Sequence, residues 1–430
     1  MISQALIGAI IFCIAMFIYS LYSHRLERSI ITGPMIFVTL GLIVSPDGLD
    51  FLHLSTGSEA VLLLSELALV LILFSDAARI DFSALRENRS YPLRLLMIGL
   101  PLTIFAGAVL AITTFTSIAL PEAALIGAIL APTDAGLGQA IVNSELVPSR
   151  IRQALNVESG LNDGGAIPFF AVFLVLAQAE VTHLPASQWV VFALEQIGIG
   201  ILVGAVVGIA GGYLVNKAIR NGQMRGRFQW IGFLALAITS FVAADMLGGS
   251  GFIAAFVGGI ATTISGRQVG ESIIEFTATG GEVLSLAVFF MFGALASSLL
   301  PGVTWLAVVY AVASLTLVRM VPVAVSMAKT RLHPESVLFM GWFGPRGLAS
   351  IVLLLITLND APGIPGLHTI AVVVTLTVLF SVFAHGITTL PFINHYARTV
   401  AGLPADAPEK KEVTESPTRI HLAVGEKGTM

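Results

Sequence analysis

Apolar residues fall along this chain in runs of about twenty, separated by short polar stretches, and those runs set its plan. A run of that length crosses a hydrocarbon core of ~30 Å as an α-helix. Read against turn and charge signals, the runs predict thirteen spans: 4–23, 30–45, 58–76, 92–112, 119–142, 150–178, 189–216, 228–247, 250–265, 281–299, 303–327, 336–358 and 367–392. The expected fold class is an all-α polytopic membrane protein. Residues 1–23 carry no Lys or Arg ahead of the apolar run and no small-residue cleavage site after it. They therefore read as a retained first span, not a cleaved leader.

Two of the thirteen runs are interrupted where an unbroken helix would not be. The fifth reads ALIGAILAPTDAGLGQAIV, with Pro132, Thr133, Asp134, Gly136 and Gly138 near its middle. The twelfth reads VLFMGWFGPRGLASIVLLL, with Gly344, Pro345, Arg346 and Gly347 in the corresponding place. Proline removes a backbone donor and clashes with the preceding turn. At membrane depth, backbone freed in this way is tolerated only inside protein or against a wet cavity. The two interruptions are seven spans apart, and a weaker echo at the same shift pairs TGPMIFVTLG (32–41) with GSGFIAAFVGG (249–259). An odd shift inverts topology, so the expected architecture is a pair of inverted repeats, each with one broken crossing helix (spans five and twelve). Such breaks point to a transport site near the bilayer midplane.

Composition and charge sharpen this picture. The chain is 56% hydrophobic and 11% charged, against roughly 25% charged in a soluble domain. No basic block could form a stripe for nucleic acid, and a single cysteine, Cys13, excludes an intrachain disulfide and a cysteine-based metal cluster. All but two of the 22 Lys and Arg fall at connections on one side of the predicted spans. By the positive-inside rule the N-terminus is then outside and the C-terminus cytoplasmic. The domain expectation is a transmembrane unit over 1–400 followed by a disordered cytoplasmic tail over 401–430, polar and proline-containing. That tail is too short for a nucleotide-binding domain.

The two exceptions, Arg319 and Arg346, lie inside spans. So do several acids. Span six reads LNVESGLNDGGAIPFF over 155–170, with Glu158, Ser159, Asn162 and Asp163. A charge at the bilayer centre costs at least ~2.5–3.5 kcal/mol, so these are functional candidates by default. At 100° per residue Ser159 and Asp163 share one helix face, and Glu158 and Asn162 share a neighbouring one. Asp134 sits at the break in span five, where an unwound carbonyl such as that of Thr133 can face a cation. Two ionised carboxylates in one buried site are unfavourable until a cation or a proton neutralises one. Thr133, Asp134, Ser159 and Asp163 are thus the candidate cation- and proton-binding set, exchanging the two by competition. Glu158 and Arg346 suit each other as a buried structural pair, the rival reading being that Glu158 itself ligates the cation. Arg319 is assigned to Glu66 in span three, though no spacing fixes that partner. Asp76, at the end of span three, either lines an acidic funnel or sits at the interface. Asp245 and Glu282 read as solvated span-end residues.

APTDAG, ESGLNDGG and FGPRGLAS, in this order and on these spans, resemble the sodium/proton exchanger family, and within it the prokaryotic cation/proton antiporter 1 branch of NhaP type. The likeness covers nearly the whole chain to residue 392. It implies a homodimer in a prokaryotic cytoplasmic membrane, needing no cofactor. A core bundle of spans 4–6 and 11–13 would move against a scaffold of spans 1–3 and 8–10, with span seven as linker. It also implies that Thr133, Asp134, Ser159 and Asp163 surround the ion, that Glu158 and Arg346 form a salt bridge, and that Asn162 marks electroneutral exchange. Ala135, where many relatives have proline, and the alanine of SDAAR, where glycine is usual, depart from the pattern without removing a ligand side chain.

Three rivals can be weighed on the residues. A nucleotide-gated K+/H+ exchanger or efflux protein lacks a cytoplasmic domain for the gate, while K+ selectivity itself stays open. An intramembrane serine protease would use Gly248-Gly249-Ser250-Gly251, but His385 is the only histidine well inside a span, and there is no H-E-x-x-H for a zinc protease. A non-transporting sensor leaves the buried acids without a task.

Overall fold

The structure is a computed structural model that describes residues 4–26, 29–80, 90–182, 186–265 and 271–413. Arg28, Arg86, Arg89, Arg267, Arg419 and Lys427 lie outside these residues, as does the expected tail from 414 onward. Among the described residues all regular structure is helical. The helices are α1 (Gln4–Leu26), α2 (Gly33–Val44), α3 (Glu59–Ala78), α4 (Ser90–Thr114), α5 (Leu120–Ile129), α6 (Ala135–Val142), α7 (Ser149–Thr182) and α8 (Ala186–Arg220). They continue as α9 (Arg227–Met246), α10 (Gly251–Ser265), α11 (Glu271–Leu299), α12 (Trp305–Ser326), α13 (Pro334–Trp342), α14 (Leu348–Asp360) and α15 (Leu367–Gly402). Nine of the described helices are long and apolar enough to cross a membrane, with shorter apolar helices at α2, α5, α10 and α14.

Close packing here rests on small residues, because lipid gives apolar side chains no reason to prefer one another. Gly200, Gly204, Gly208 and Gly212 recur every fourth residue on α8 and lie against α10. A Cβ on Gly204 would stand 2.5 Å from the Ala254 carbonyl oxygen. The same device joins α2 to α11, where a Cβ on Gly41 would meet the Phe290 carbonyl at 2.1 Å, and α10 to α3, where one on Gly259 would meet the Phe74 carbonyl at 2.3 Å. Within α4, Leu95–Gly99 widen into a π turn just ahead of Pro101, whose missing N–H loosens the ladder.

Several helices outrun the apolar runs that predicted them. α11 begins at Glu271, ten residues early, because Ile273 and Ile274 pack with Leu71, Phe74 and Phe233 beyond the apolar run. α15 runs on to Gly402, since Tyr396 stacks on Phe339 at 4.4 Å and Thr399 donates to Glu335. The expected disorder from 401 is corrected for 401–413. Glu409, 1% exposed, accepts from the His333 amide at 2.6 Å and the Ser336 hydroxyl at 2.9 Å. Arg150 donates to the Pro408 carbonyl at 3.1 Å, and the Val413 amide to Ser149 at 3.4 Å. A buried carboxylate with two donors holds a segment that its polar composition alone would leave loose.

Candidate functional site at two crossed helix breaks

α5 ends at Ile129 and α6 starts at Ala135, with Pro132 between them unable to donate. Asp134 caps α6: its Oδ1 accepts from the Gly136 amide at 2.7 Å and the Leu137 amide at 3.3 Å. α13 likewise ends at Trp342, and α14 starts at Leu348. The two gaps lie against each other. The Asp134 amide donates to the Pro345 carbonyl at 2.7 Å, and the Leu348 amide donates to Asp134 Oδ2 at 2.8 Å. Only glycine fits at Gly347, because a Cβ there would stand 2.1 Å from Asp134 Oδ2. One carboxylate thus takes three backbone N–H groups from the open starts of α6 and α14, where helix dipoles favour negative charge.

Arg346 plays the opposite part and corrects an expectation. It is fully buried, and its Nη1 donates to the Ala131 carbonyl at 3.0 Å and the Pro132 carbonyl at 3.3 Å. Those are the orphan acceptors just past the end of α5, where positive charge is favoured. Its Nε and Nη2 have no hydrogen-bond partner among the described residues. The expected Glu158–Arg346 pair is not what forms. Glu158 is held by Arg319, with Nη1–Oε1 at 2.5 Å and Nη2–Oε2 at 2.8 Å, both side chains being at most 3% exposed. The reason is geometric. Arg319, on α12 between the interruption at Thr316 and Pro322, presents its planar guanidinium to Glu158 as a bidentate fork, whereas Arg346, in unwound chain, is taken by the Ala131 and Pro132 carbonyls. The expected Glu66–Arg319 pair falls with it. Glu66, on α3, has Asp360 and Asp245 as its electrostatic neighbours.

α7 carries the remaining candidates past the crossing. Ser159, Asn162 and Asp163 are all buried, at 9%, 1% and 6% exposure. The Asn162 amide donates to Thr133 Oγ1 at 2.5 Å, tying α7 to the first break. The Ser159 hydroxyl donates to the Asn156 carbonyl at 3.2 Å. Asp76 is buried at the end of α3 and faces α7 at Gly160, where a Cβ would lie 3.7 Å from its own. Thr133, Asp134, Ser159 and Pro345 line a small cavity of about 20 Å³, large enough for one water-sized guest. Asp163 is one turn along α7 from Ser159. A larger cavity of about 340 Å³ reaches Asp134 from residues such as Ser29, Asn143 and Asn394; Glu282 and Thr389 also line it.

Three buried groups at the edges of this site escaped the sequence reading. Glu122, 1% exposed, accepts from the Ala119 amide at 2.8 Å and the Gly366 amide at 2.7 Å, tying the start of α5 to that of α15. Its signal was present, since proline at the first helical turn followed by an acid is a helix-start pattern. Glu409 and Ser381 had no such signal. Ser250 of the GGSG run caps α10, accepting from the Ile253 amide at 3.4 Å, after a turn in which Gly248 takes φ +77°. No group of three or more His, Cys, Asp or Glu among the described residues could hold a metal ion.

Multi-pass helical membrane proteins with a polar centre built on paired helix breaks form a recognisable class, and this chain is of that class. Its family can be given too. Residues 11–395 match the family described as sodium/hydrogen exchanger, transmembrane, and the chain belongs to it. A K(+)/H(+) antiporter NhaP2 from Shewanella sp. (strain ANA-3) is 26% identical over 386 residues, 89% of this chain and 65% of that protein. A Na(+)/H(+) antiporter NhaG from Bacillus atrophaeus is 26% identical over 338 residues, 75% of this chain and 61% of that protein. This chain therefore spans under two thirds of the length of either relative. The structure of the sodium proton antiporter MjNhaP1 from Methanocaldococcus jannaschii at pH 8 matches with a TM-score of 0.73 at 20% identity, covering 89% of this chain and all of that one, and so has the same fold.

Proposed function

We propose that this protein exchanges a monovalent cation (Na+, with K+ and Li+ as alternatives) for H+ by alternating access across a prokaryotic cytoplasmic membrane. The observation that carries the reading is the water-sized cavity at the crossing, lined by Thr133, Asp134 and Ser159, one helical turn from the buried Asp163. Hard cations take oxygen ligands, and a hydroxyl, a carbonyl and a carboxylate are the oxygens offered there. In this reading Asp163 is the group that releases a proton when it accepts a cation. Asp134, already committed to three backbone amides, supplies fixed negative charge. Asn162 positions Thr133, and Asp76 shapes the approach. Glu158 with Arg319 braces the site from behind. Names of both K+/H+ and Na+/H+ antiporters among the relatives support cation/proton exchange without choosing the cation.

The same reading assigns α4–α7 and α12–α15 to a moving core, α1–α3 and α9–α11 to a scaffold, and α8 to the link, in a thirteen-span homodimer. Two swapped contacts support the inverted repeat: α2 packs on α11, and α10 packs on α3. The Pro-Glu start of α5 recurs at α13. Contacts of Arg94 with the Ser326 and Ala328 carbonyls, and of Arg150 with Pro408, join basic connections at one end, which is the end assigned to the cytoplasm.

The test is proton flux in proteoliposomes driven by each cation in turn, with and without an imposed potential. Asp163→Asn is expected to abolish flux while the protein still folds, and robust flux in that variant would sink the assignment. Exchange that responded strongly to the potential would refute 1:1 electroneutrality.

A further inference from the structure

His385 is buried to 1% exposure on α15 and has no part in the exchange just described. Its ring lies behind the second break. Nε2 is 2.9 Å from the carbonyl of Trp342, the last residue of α13. Nδ1 lies 3.2 Å from Ser381 Oγ and 2.9 Å from the Ser381 carbonyl. Ser381 Oγ in turn accepts the Arg346 amide at 2.5 Å. Each ring nitrogen faces a backbone carbonyl at 2.9 Å, and a neutral ring has a proton for one of them. With that proton on Nε2 the ring donates to Trp342, and Nδ1 accepts the Ser381 hydroxyl, whose oxygen takes the Arg346 N–H, while the Ser381 carbonyl goes without a donor from the ring. The Trp342 carbonyl uses its other lone pair for the Gly344 amide at 2.8 Å. The Trp342 indole packs on the imidazole with centroids 5.0 Å apart and donates to Thr388 Oγ1 at 3.0 Å.

The two residues held in this way, Trp342 and Arg346, bracket the unwound chain between α13 and α14. Within that bracket and just past it lie the Pro345 carbonyl, which accepts the Asp134 amide, and the Leu348 amide, which donates to the Asp134 carboxylate. Unwound backbone has no helical ladder to fix it, so side-chain bonds must. We propose that His385, acting through Ser381, is a positioning residue for the cation site: it clamps residues 342–346 so that the second break presents Asp134 and its neighbours in ion-binding geometry. The proposal rests on the reading of the crossing as the exchange site.

The experiment is cation-driven proton exchange in proteoliposomes, with Na+ or K+ as the sole cation, comparing the parent with His385→Leu, His385→Gln and Ser381→Ala. Leucine removes both ring nitrogens. Glutamine can return an N–H near the position of Nε2. His385→Leu and Ser381→Ala are expected to raise the apparent KM for the cation about tenfold, the scale of one buried hydrogen bond lost, with the maximal rate within about twofold. His385→Gln is expected to stay within about threefold of the parent KM. A parental KM in His385→Leu or in Ser381→Ala overturns the proposal, as does equal impairment by leucine and glutamine. Should His385→Leu fail to fold, Ser381→Ala decides; failure of both to fold makes the role one of folding and also overturns it. A parent that shows no exchange at all overturns the transport reading itself, which keeps the two failures apart.

Discussion

The pairing of Glu158 with Arg319 rather than Arg346 makes a quantitative prediction. Both side chains are at most 3% exposed, and the contact is bidentate at 2.5 and 2.8 Å. Removing one partner leaves the other charge buried and unmatched, which costs ~3–5 kcal/mol, whereas removing both costs much less. The double-mutant cycle Glu158→Leu, Arg319→Met and the pair is therefore expected to show coupling of at least ~2 kcal/mol, well above the ~0.5 kcal/mol scatter of independent sites. A parallel cycle of Glu158→Leu with Arg346→Met should show weaker coupling, because Arg346 lies within electrostatic reach of Glu158 but gives its hydrogen bonds to the Ala131 and Pro132 carbonyls instead. The assay is reversible denaturant unfolding in mixed micelles followed by tryptophan fluorescence, with purified yield as a second reading. Coupling to Arg346 that equals or exceeds coupling to Arg319 would refute the geometry.

Other outcomes follow from particular contacts. Glu409→Ala should release the segment after α15, speeding limited proteolysis near residues 403–413 and leaving the His333 amide and Ser336 hydroxyl without their acceptor; unchanged cleavage would contradict the packing. Gly204→Val should sharply lower folded yield, because a side chain there collides with the Ala254 backbone; the yield of monodisperse protein in detergent decides it. If proton and cation compete for Asp163, the apparent KM for the cation must rise as pH falls, approaching tenfold per unit in the acid limit. Flux measured over a pH series with saturating and sub-saturating cation tests this, and a KM independent of pH would argue for separate sites.

The fold was legible to the extent that it is written in local pattern. The runs of apolar residues located the helices, and Pro132 with Pro345 marked where α5 stops short of α6 and α13 short of α14, since a missing N–H is a property of one residue. Helix ends were less legible. The last turns of α15 and the first of α11 are held by Tyr396, Thr399, Ile273 and Ile274 against distant partners, and hydropathy measures only solvent preference. Partner choice was not legible at all. Two buried arginines and one glutamate fit together in two ways on sequence, and only the path of α12 against α7 selects Arg319. The same holds for Glu409, whose burial depends on where α13 begins, and for Ser381, which looks like any helical serine until Arg346 is placed beside it.

The crossing has one further consequence, which concerns work done by an electric field. Asp134 and Arg346 place one negative and one positive charge on the opposed ends of interrupted helices, so their sum is zero before any ion arrives. Glu158 and Arg319 likewise cancel. Under the proposed exchange Asp163 is the charge that changes partner, matched by a cation in one loaded state and by a proton in the other. Moving an elementary charge through 100 mV involves ~2.3 kcal/mol, but a loaded core that carries no net charge in either direction draws none of it. The voltage across the membrane then neither drives nor opposes turnover, and the two concentration gradients alone set its direction.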